Sequence, residues 1–205
     1  MKFTNGFWLM KQNVEPLFAV EYAGHALDGD TLTVYAVGRH ITGRGDCLNV
    51  GMLTVTLKSP LENVLHVELT HFAGQCEPRV RPSVREAAPH VTVTEDETAL
   101  TFQTGTLRAQ ISKAPSDWRI EYYDGSRHLT GTDYRNMARM RRRGTGESFM
   151  VEQLRLDVGE TVYGLGERFT PFVKNGQTVE NWNEDGGTAS EQGYKCIPFY
   201  LSSRG

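Results

Sequence analysis

Cysteine is scarce in this sequence and follows no recognisable spacing. The three cysteines, Cys47, Cys76 and Cys196, form neither a CxxC pair nor a Cys/His set at the distances typical of zinc sites. An odd number of scattered cysteines favours free thiols in a reducing compartment over a disulfide framework. We therefore predict a cytoplasmic protein with no metal site and no cofactor.

Long apolar runs are absent as well. No segment approaches the roughly 20 consecutive apolar residues that are needed to cross a bilayer. Residues 1–6 lead directly into mixed polar sequence, without the apolar core of a signal peptide. The sequence therefore predicts neither a membrane protein nor an exported one.

Positive charge is not in excess. The formal net charge of -3 at pH 7 argues against nucleic acid or an acidic membrane surface as the main partner. The basic run at residues 139–143 contains no aromatic residue that could stack on a base. We interpret this run as the solvated tip of a hairpin.

The common short signatures of catalytic and cofactor sites are missing. The histidines do not lie at the spacing of metal ligands, and there is no Gly-x-Ser-x-Gly elbow. The segment Gly164-Leu165-Gly166 is not a dinucleotide fingerprint, because it has no third glycine and no helix is predicted after it.

Alternation of apolar and polar residues is the dominant pattern that is present. Leu53, Val55 and Leu57 would face one side of a strand, with threonine and lysine on the other side. Asp124-Gly125 favours a tight hairpin turn, because both positions tolerate positive φ. The same alternation recurs at residues 32–36, 65–69, 91–93, 100–102, 107–111 and 118–122. Short strands about ten residues apart, with no amphipathic helix, predict an all-β antiparallel sandwich.

The stretch from Val162 to Gly205 has a different character. It combines glycine turns, aromatic rings and carboxylates and has no helical period. A loop of this length inside a compact domain is uncommon, and when ordered it is usually a binding loop or a lid. A plain surface connection between two strands is the alternative.

The order of residues in this stretch carries a family resemblance. Its elements are Tyr163-Gly164-Leu165-Gly166-Glu167-Arg168-Phe169, Asn175-Gly176-Gln177, Asn181-Trp182-Asn183, Asp185-Gly186-Gly187-Thr188, Ile197-Pro198-Phe199-Tyr200 and Arg204-Gly205. This ordered set resembles glycoside hydrolase family 31, and within that family the bacterial α-xylosidases. The resemblance is dense over about the last sixty residues and thins before them to a pattern of strands.

The resemblance implies both a fold and a place in a larger enzyme. Family 31 enzymes carry a β-sandwich of the galactose mutarotase-like type ahead of a (β/α)8 barrel, and both catalytic aspartates lie on the barrel. Residues 1–205 are then the N-terminal domain, with 170–196 a long loop that reaches the active site of the barrel. We expect the chain to be part of a longer enzyme and to contain no catalytic residue. Alone it should be inactive on the α-linked oligosaccharide or xyloside substrate.

The resemblance also assigns residues within this loop. Asp185 is the residue expected to accept hydrogen bonds from sugar hydroxyls, since a carboxylate can accept two at once. Trp182 either offers an apolar face to a pyranose ring or anchors the loop. Gly186 and Gly187 permit close approach of the backbone and unusual φ values.

The remaining motif residues are assigned structural roles. Gly164 and Gly166 belong to the same motif as Glu167 and Arg168, which we interpret as an ion pair or a hydrogen-bond hub at the end of a strand. The rings of Tyr163, Phe169 and Phe172 are interpreted as core residues. No metal ligand is assigned.

Two other functions remain open. An autonomous carbohydrate-binding module would need exposed aromatic residues on one sheet face, and Trp8, Trp118 and Tyr122 are the available set. A structural or assembly domain would pair its exposed sheet edges with other subunits, and a homo-oligomer is one such assembly.

Overall fold

The computed structural model describes residues 2–6, 9–72, 85–184, 190–191 and 193–205. Within these ranges the chain forms β-strands and a single 3-10 turn at Arg44–Cys47, with no α-helix. No helix in this described part is long and apolar enough to cross a membrane. The strands are β1 (Thr4–Asn5), β2 (Leu9–Met10), β3 (Val14–Phe18), β4 (Glu21–Asp28), β5 (Thr31–Val37), β6 (Met52–Lys58), β7 (His66–Thr70), β8 (Val91–Glu95), β9 (Ala99–Thr104), β10 (Leu107–Ser112), β11 (Ile120–Asp124), β12 (Arg127–Gly131), β13 (Met137–Arg142), β14 (Ser148–Glu152), β15 (Val162–Gly164) and β16 (Tyr200–Ser202).

The chain divides into two compact units. The larger unit is Thr4–Arg155, and the smaller one combines Met1–Phe3 with Leu156–Gly205. Strands β1 to β14 belong to the larger unit, whereas β15 and β16 belong to the smaller one.

The larger unit is built from antiparallel sheets. One sheet has the order β4-β5-β6-β7, and another has the order β12-β11-β10-β9-β8. Strands that follow one another in the chain are therefore neighbours in each sheet, as short hairpin connections require. A third sheet, β14-β13-β3, adds an early strand to a later hairpin, and β1 pairs with β2.

Both large sheets bury one face in the same core. On β6 the side chains of Leu53, Val55 and Leu57 have no exposed surface, while the residues between them are partly exposed. Phe102 on β9 and Ile111 on β10 are also fully buried and belong to the same apolar cluster. Two sheets that share one core form a β-sandwich. The predicted all-β antiparallel sandwich is confirmed.

The predicted hairpin at Asp124-Gly125 is present. Strands β11 and β12 pair across the turn with Asp124 opposite Arg127, and Gly125 has φ +57°. The prediction that the basic run is a solvated hairpin tip is wrong: residues 139–142 lie within β13, with Met140 buried, and only Arg143 lies in the turn before β14. In this run Arg142 and Arg143 form ion pairs with Glu147 and Glu15 at 2.9 Å each. Its charges are therefore engaged within this hairpin and with neighbouring β3.

Candidate functional site

The smaller unit is organised by two chain segments that run side by side. Val162–Gly164 pairs with Tyr200–Ser202 in antiparallel register. Beyond the strands, the amide of Leu165 donates to the Phe199 carbonyl at 2.8 Å and the amide of Glu167 donates to the Lys195 carbonyl at 3.0 Å. These bonds bring the two ends of the long loop together.

Glycine is required where these segments meet. A Cβ on Gly166 would lie 2.0 Å from the Lys195 carbonyl oxygen, and one on Gly193 would lie 2.1 Å from the Glu167 carbonyl oxygen. Gly164 and Gly166 also have φ values of +110° and +86°, which side-chain-bearing residues rarely adopt. The close approach of backbone to backbone therefore depends on residues without a side chain.

The guanidinium of Arg168 connects parts of the loop that are distant in sequence. Its Nη2 donates to the Glu180 carbonyl at 2.5 Å and contacts Asn181 Oδ1 at 3.2 Å. Its Nη1 donates to the Glu191 carbonyl at 3.4 Å, and its Nε to the Leu165 carbonyl at 3.0 Å. The side chain is therefore a hydrogen-bond hub that contacts the loop both before and after residues 185–189.

Cys196, on the returning segment of the loop, also binds residues that follow Asn181. Its thiol donates to the Trp182 carbonyl at 2.8 Å, and its sulfur lies 3.1 Å from Arg168 Nη2. Its amide donates to Asn183 Oδ1 at 2.7 Å, and Asn183 forms an isolated parallel bridge with Gly193. Sequence spacing could not reveal this arrangement, since the partners are 13 and 14 residues apart.

Among the described contacts, the side chain of Glu167 does not bind Arg168. Its carboxylate is 67% exposed and lies 3.4 Å from the ammonium group of Lys195. An exposed pair of this kind contributes little to stability.

The predicted substrate residues are only partly within the described chain. The Trp182 side chain is 69% exposed, although its carbonyl is held by Cys196. Asp185, Gly186 and Gly187 lie outside the described residues. The exposure of the indole favours an available apolar face over an anchor in the core of this unit.

Several aromatic rings of the smaller unit are more exposed than expected. The prediction that Phe169 and Phe172 are core residues is wrong for this chain, because they are 56% and 77% exposed. Tyr163 is half-buried, with its ring 5.1 Å from that of Phe172. A cleft of about 300 Å³ lies beside Phe169 and Tyr194.

The aromatic platform proposed for a binding module is not available in the larger unit. Trp118 is 1% exposed and Tyr122 is 8% exposed, since both belong to the sandwich core. The indole nitrogen of Trp118 donates to the Met137 sulfur at 3.3 Å, which satisfies the buried N–H group. The expectation that these two rings could hold a sugar is wrong, and Trp8 lies outside the described residues.

The larger unit has a polar groove of about 430 Å³, lined by residues of β11 that alternate with those facing the sandwich core. Glu121 in this groove accepts hydrogen bonds from His128 at 2.7 Å and from Arg155, and Arg119 pairs with Asp117 at 3.1 Å. These charged groups satisfy one another. In the ranges that the structure describes, no group of three or more His, Cys, Asp and Glu residues could hold a metal ion.

A comparison with protein families identifies the chain. Residues 53–205 match the glycosyl hydrolase 31 N-terminal galactose mutarotase-like domain. The chain belongs to this family. The match includes the sandwich strands from β6 onward and the Leu156–Gly205 part of the smaller unit.

Curated relatives of this glycosyl hydrolase 31 domain include two α-xylosidases. The chain is 39% identical to α-xylosidase XylQ of Lactiplantibacillus pentosus and 35% identical to an α-xylosidase of Emericella nidulans. Both matches cover the whole of this chain. It spans only 27% and 29% of the length of those two proteins.

Solved structures of low sequence identity share the fold. A cycloalternan-forming enzyme from Listeria monocytogenes, solved with a pentasaccharide substrate, matches 92% of this chain with a TM-score of 0.67 and 17% identity. A GH31 dextranase from Flavobacterium johnsoniae, complexed with glucose, matches 91% with a TM-score of 0.66 and 18% identity. This chain covers 17% and 21% of those two chains.

Proposed function

We propose that the chain is the N-terminal, non-catalytic domain of a retaining α-glycosidase that acts on α-linked saccharides, with α-xylosides as its main substrates. The observation that carries this proposal is the similarity to two α-xylosidases along the whole chain, at 39% and 35% identity. Because the chain spans less than a third of either relative, the activity of the complete protein is part of the proposal.

Bond cleavage in this proposal belongs to a (β/α)8 barrel outside the 205 residues. Retaining glycosidases use two carboxyl groups about 5 Å apart, one as nucleophile and the other as acid and then base. We assign that pair to two aspartates of the barrel. The chain alone is then inactive.

The contribution of this chain is a loop that shapes the sugar pocket. Trp182 offers its indole face to a pyranose ring, and Asp185 accepts hydrogen bonds from sugar hydroxyls. The exposed indole and the hydrogen bonds on either side of residues 185–189 support this role. Such a loop acts by orienting the substrate and excluding water, not by transferring protons.

The apolar surface of the smaller unit supports contact with a further domain. Phe172 is 77% exposed, Phe199 62% and Tyr194 57%, in a unit of about fifty residues. Large exposed apolar surfaces of this kind mark interaction sites. We assign the catalytic barrel as the structure that covers them, and self-association of the chain is the alternative outcome.

The cytoplasm is the location that fits best. The described cysteines Cys47 and Cys196 are both free thiols, which suits a reducing compartment. Fractionation of the source cells would test this assignment.

The test of the proposed function is the reading frame that follows Gly205. The proposal requires it to continue into a (β/α)8 barrel that carries two aspartates at the carboxyl ends of its strands. A stop codon directly after Gly205 would contradict it and favour the assembly-domain alternative.

A further inference from the structure

Arg168 contacts both sides of the loop that carries Trp182 and Asp185. On the approaching side it donates to the Glu180 carbonyl and contacts the Asn181 side chain. On the returning side it donates to the Glu191 carbonyl and approaches the Cys196 sulfur. One side chain therefore connects two residues that precede Trp182 in the chain with two residues that follow it.

The geometry requires arginine in particular. A guanidinium presents five N–H donors in a rigid plane, whereas a lysine ammonium is a single point at the end of a flexible chain. Nε, Nη1 and Nη2 of Arg168 are each used, toward Leu165, Glu191 and Glu180 respectively. Lysine at this position could reach one of these acceptors but could not connect them all.

Cys196 completes the connection. Its thiol donates to the Trp182 carbonyl at 2.8 Å while its amide donates to Asn183 Oδ1 at 2.7 Å. The backbone that bears the exposed indole is thus tied directly to Cys196, and through its sulfur to Arg168.

We propose that Arg168 and Cys196 are positioning residues that hold the backbone of Trp182 and Asn183 in the conformation in which the indole of Trp182 contacts the saccharide. This inference rests on the proposed function of that loop. When these hydrogen bonds are lost, the backbone at Trp182 and Asn183 samples more conformations. The apparent affinity for the saccharide then falls with the fraction of molecules in the binding conformation. The catalytic carboxyl groups are unaffected, so KM should rise while kcat stays nearly constant.

Hydrogen exchange tests the positioning role without any assay of activity. In the protein expressed from the complete reading frame, Arg168→Lys should speed exchange of the Glu184 and Cys196 amides about tenfold or more, because both donate within the connected region. Exchange in β5 and β6 should stay unchanged. The matched control is Arg127→Lys, the same replacement at a half-exposed arginine of the β11–β12 hairpin. Unchanged exchange of both amides in Arg168→Lys would overturn the proposal.

A second variant guards against misfolding of the first. Cys196→Ala removes the thiol donor but keeps the amide and every backbone bond of the segment. Like Arg168→Lys, it should speed exchange of the Glu184 amide, by about threefold or more relative to the wild type. Wild-type exchange in this variant would remove Cys196 from the proposal.

Kinetics then separate positioning from general stability. Arg168→Lys should raise KM for an aryl α-xyloside about tenfold and change kcat less than about twofold. In a Trp182→Ala background, the same replacement should change KM less than about twofold, because the positioned indole is gone. An equal effect in both backgrounds would overturn the proposal. A wild-type protein that hydrolyses no α-linked saccharide would instead contradict the proposed function, while hydrogen exchange still decides the positioning role.

Discussion

Gly166 lies against the main chain at Lys195, so that a Cβ on Gly166 would be 2.0 Å from the Lys195 carbonyl oxygen. The neighbouring amide of Glu167 donates to that same oxygen at 3.0 Å. A side chain at Gly166 would therefore separate the two segments that close the long loop.

We expect Gly166→Ala to destabilise the smaller unit by about 2–5 kcal/mol. Left-handed φ costs about 1–2 kcal/mol for a residue with a Cβ, and overpacking adds about 1–3 kcal/mol. The measurement is exchange protection of the Leu165 and Glu167 amides. Gly176→Ala is the control, since Gly176 has φ +75° with nothing within 4 Å of its added Cβ, and should cost only the φ contribution. Equal loss of protection in both variants would contradict the close-approach explanation.

Adjacent residues on β6 should respond very differently to the loss of a side chain. Leu57 is fully buried in the shared core, so Leu57→Ala should lower the free energy of unfolding by about 2–5 kcal/mol. Thr56 is on the opposite face, across from Thr33 and Glu68, and Thr56→Ala should cost less than about 1 kcal/mol. Urea unfolding of the two variants measures the difference. Similar costs for the two variants would contradict the selective burial of one face of β6.

Glu21 should make the larger unit sensitive to acid. Burial alone would raise the pKa of this carboxyl, but hydrogen bonds from His40 and from the Ser116 amide outweigh burial and hold the pKa below its usual value. The folded state therefore binds the proton less readily than the unfolded state. This stabilisation is present above about pH 4.3 and is lost as pH falls through the folded-state pKa.

The matching experiment is the pH dependence of unfolding for Glu21→Gln. We expect this variant to be less stable by about 1–3 kcal/mol near neutral pH, because a charge-assisted hydrogen bond is lost. Its stability should then fall less steeply than that of the wild type as pH drops below about 4.3. Asp30→Asn, a change in the exposed β4–β5 turn, is the control. A parallel acid decline in Glu21→Gln and wild type would rule out this role for Glu21.

The proposed sugar contacts predict a loss of catalytic efficiency. Trp182→Ala and Asp185→Ala should each lower kcat/KM of the full-length protein for an aryl α-xyloside by about 5- to 20-fold, which corresponds to about 1–2 kcal/mol of lost contact. Trp182→Phe retains an apolar ring and should lose less. Wild-type kcat/KM in Asp185→Ala would remove Asp185 from the pocket.

The sandwich could be predicted from sequence because its signal is local. Alternation along β6 places Leu53, Val55 and Leu57 on one face whatever the partner strands are. The Asp124-Gly125 turn is local in the same sense, since its chemistry resides in two adjacent residues.

The site was less predictable because its contacts are distant in sequence. Arg168 meets acceptors at Glu180 and Glu191, 12 and 23 residues away, and no spacing rule identifies such partners. Phe169 and Phe172 were misassigned for another physical reason. An aromatic residue in a glycine-rich segment can be buried by its own domain or by a neighbouring one, and sequence pattern does not separate the two cases.

The most direct test of the whole account compares two proteins on one substrate. The full-length protein and the isolated chain of residues 1–205 are each assayed with an aryl α-xyloside, with an aryl α-glucoside as the reference substrate. We predict hydrolysis of the α-xyloside by the full-length protein, in preference to the glucoside, and none by residues 1–205. Hydrolysis by the isolated chain, or no hydrolysis of either substrate by the full-length protein, would contradict the account.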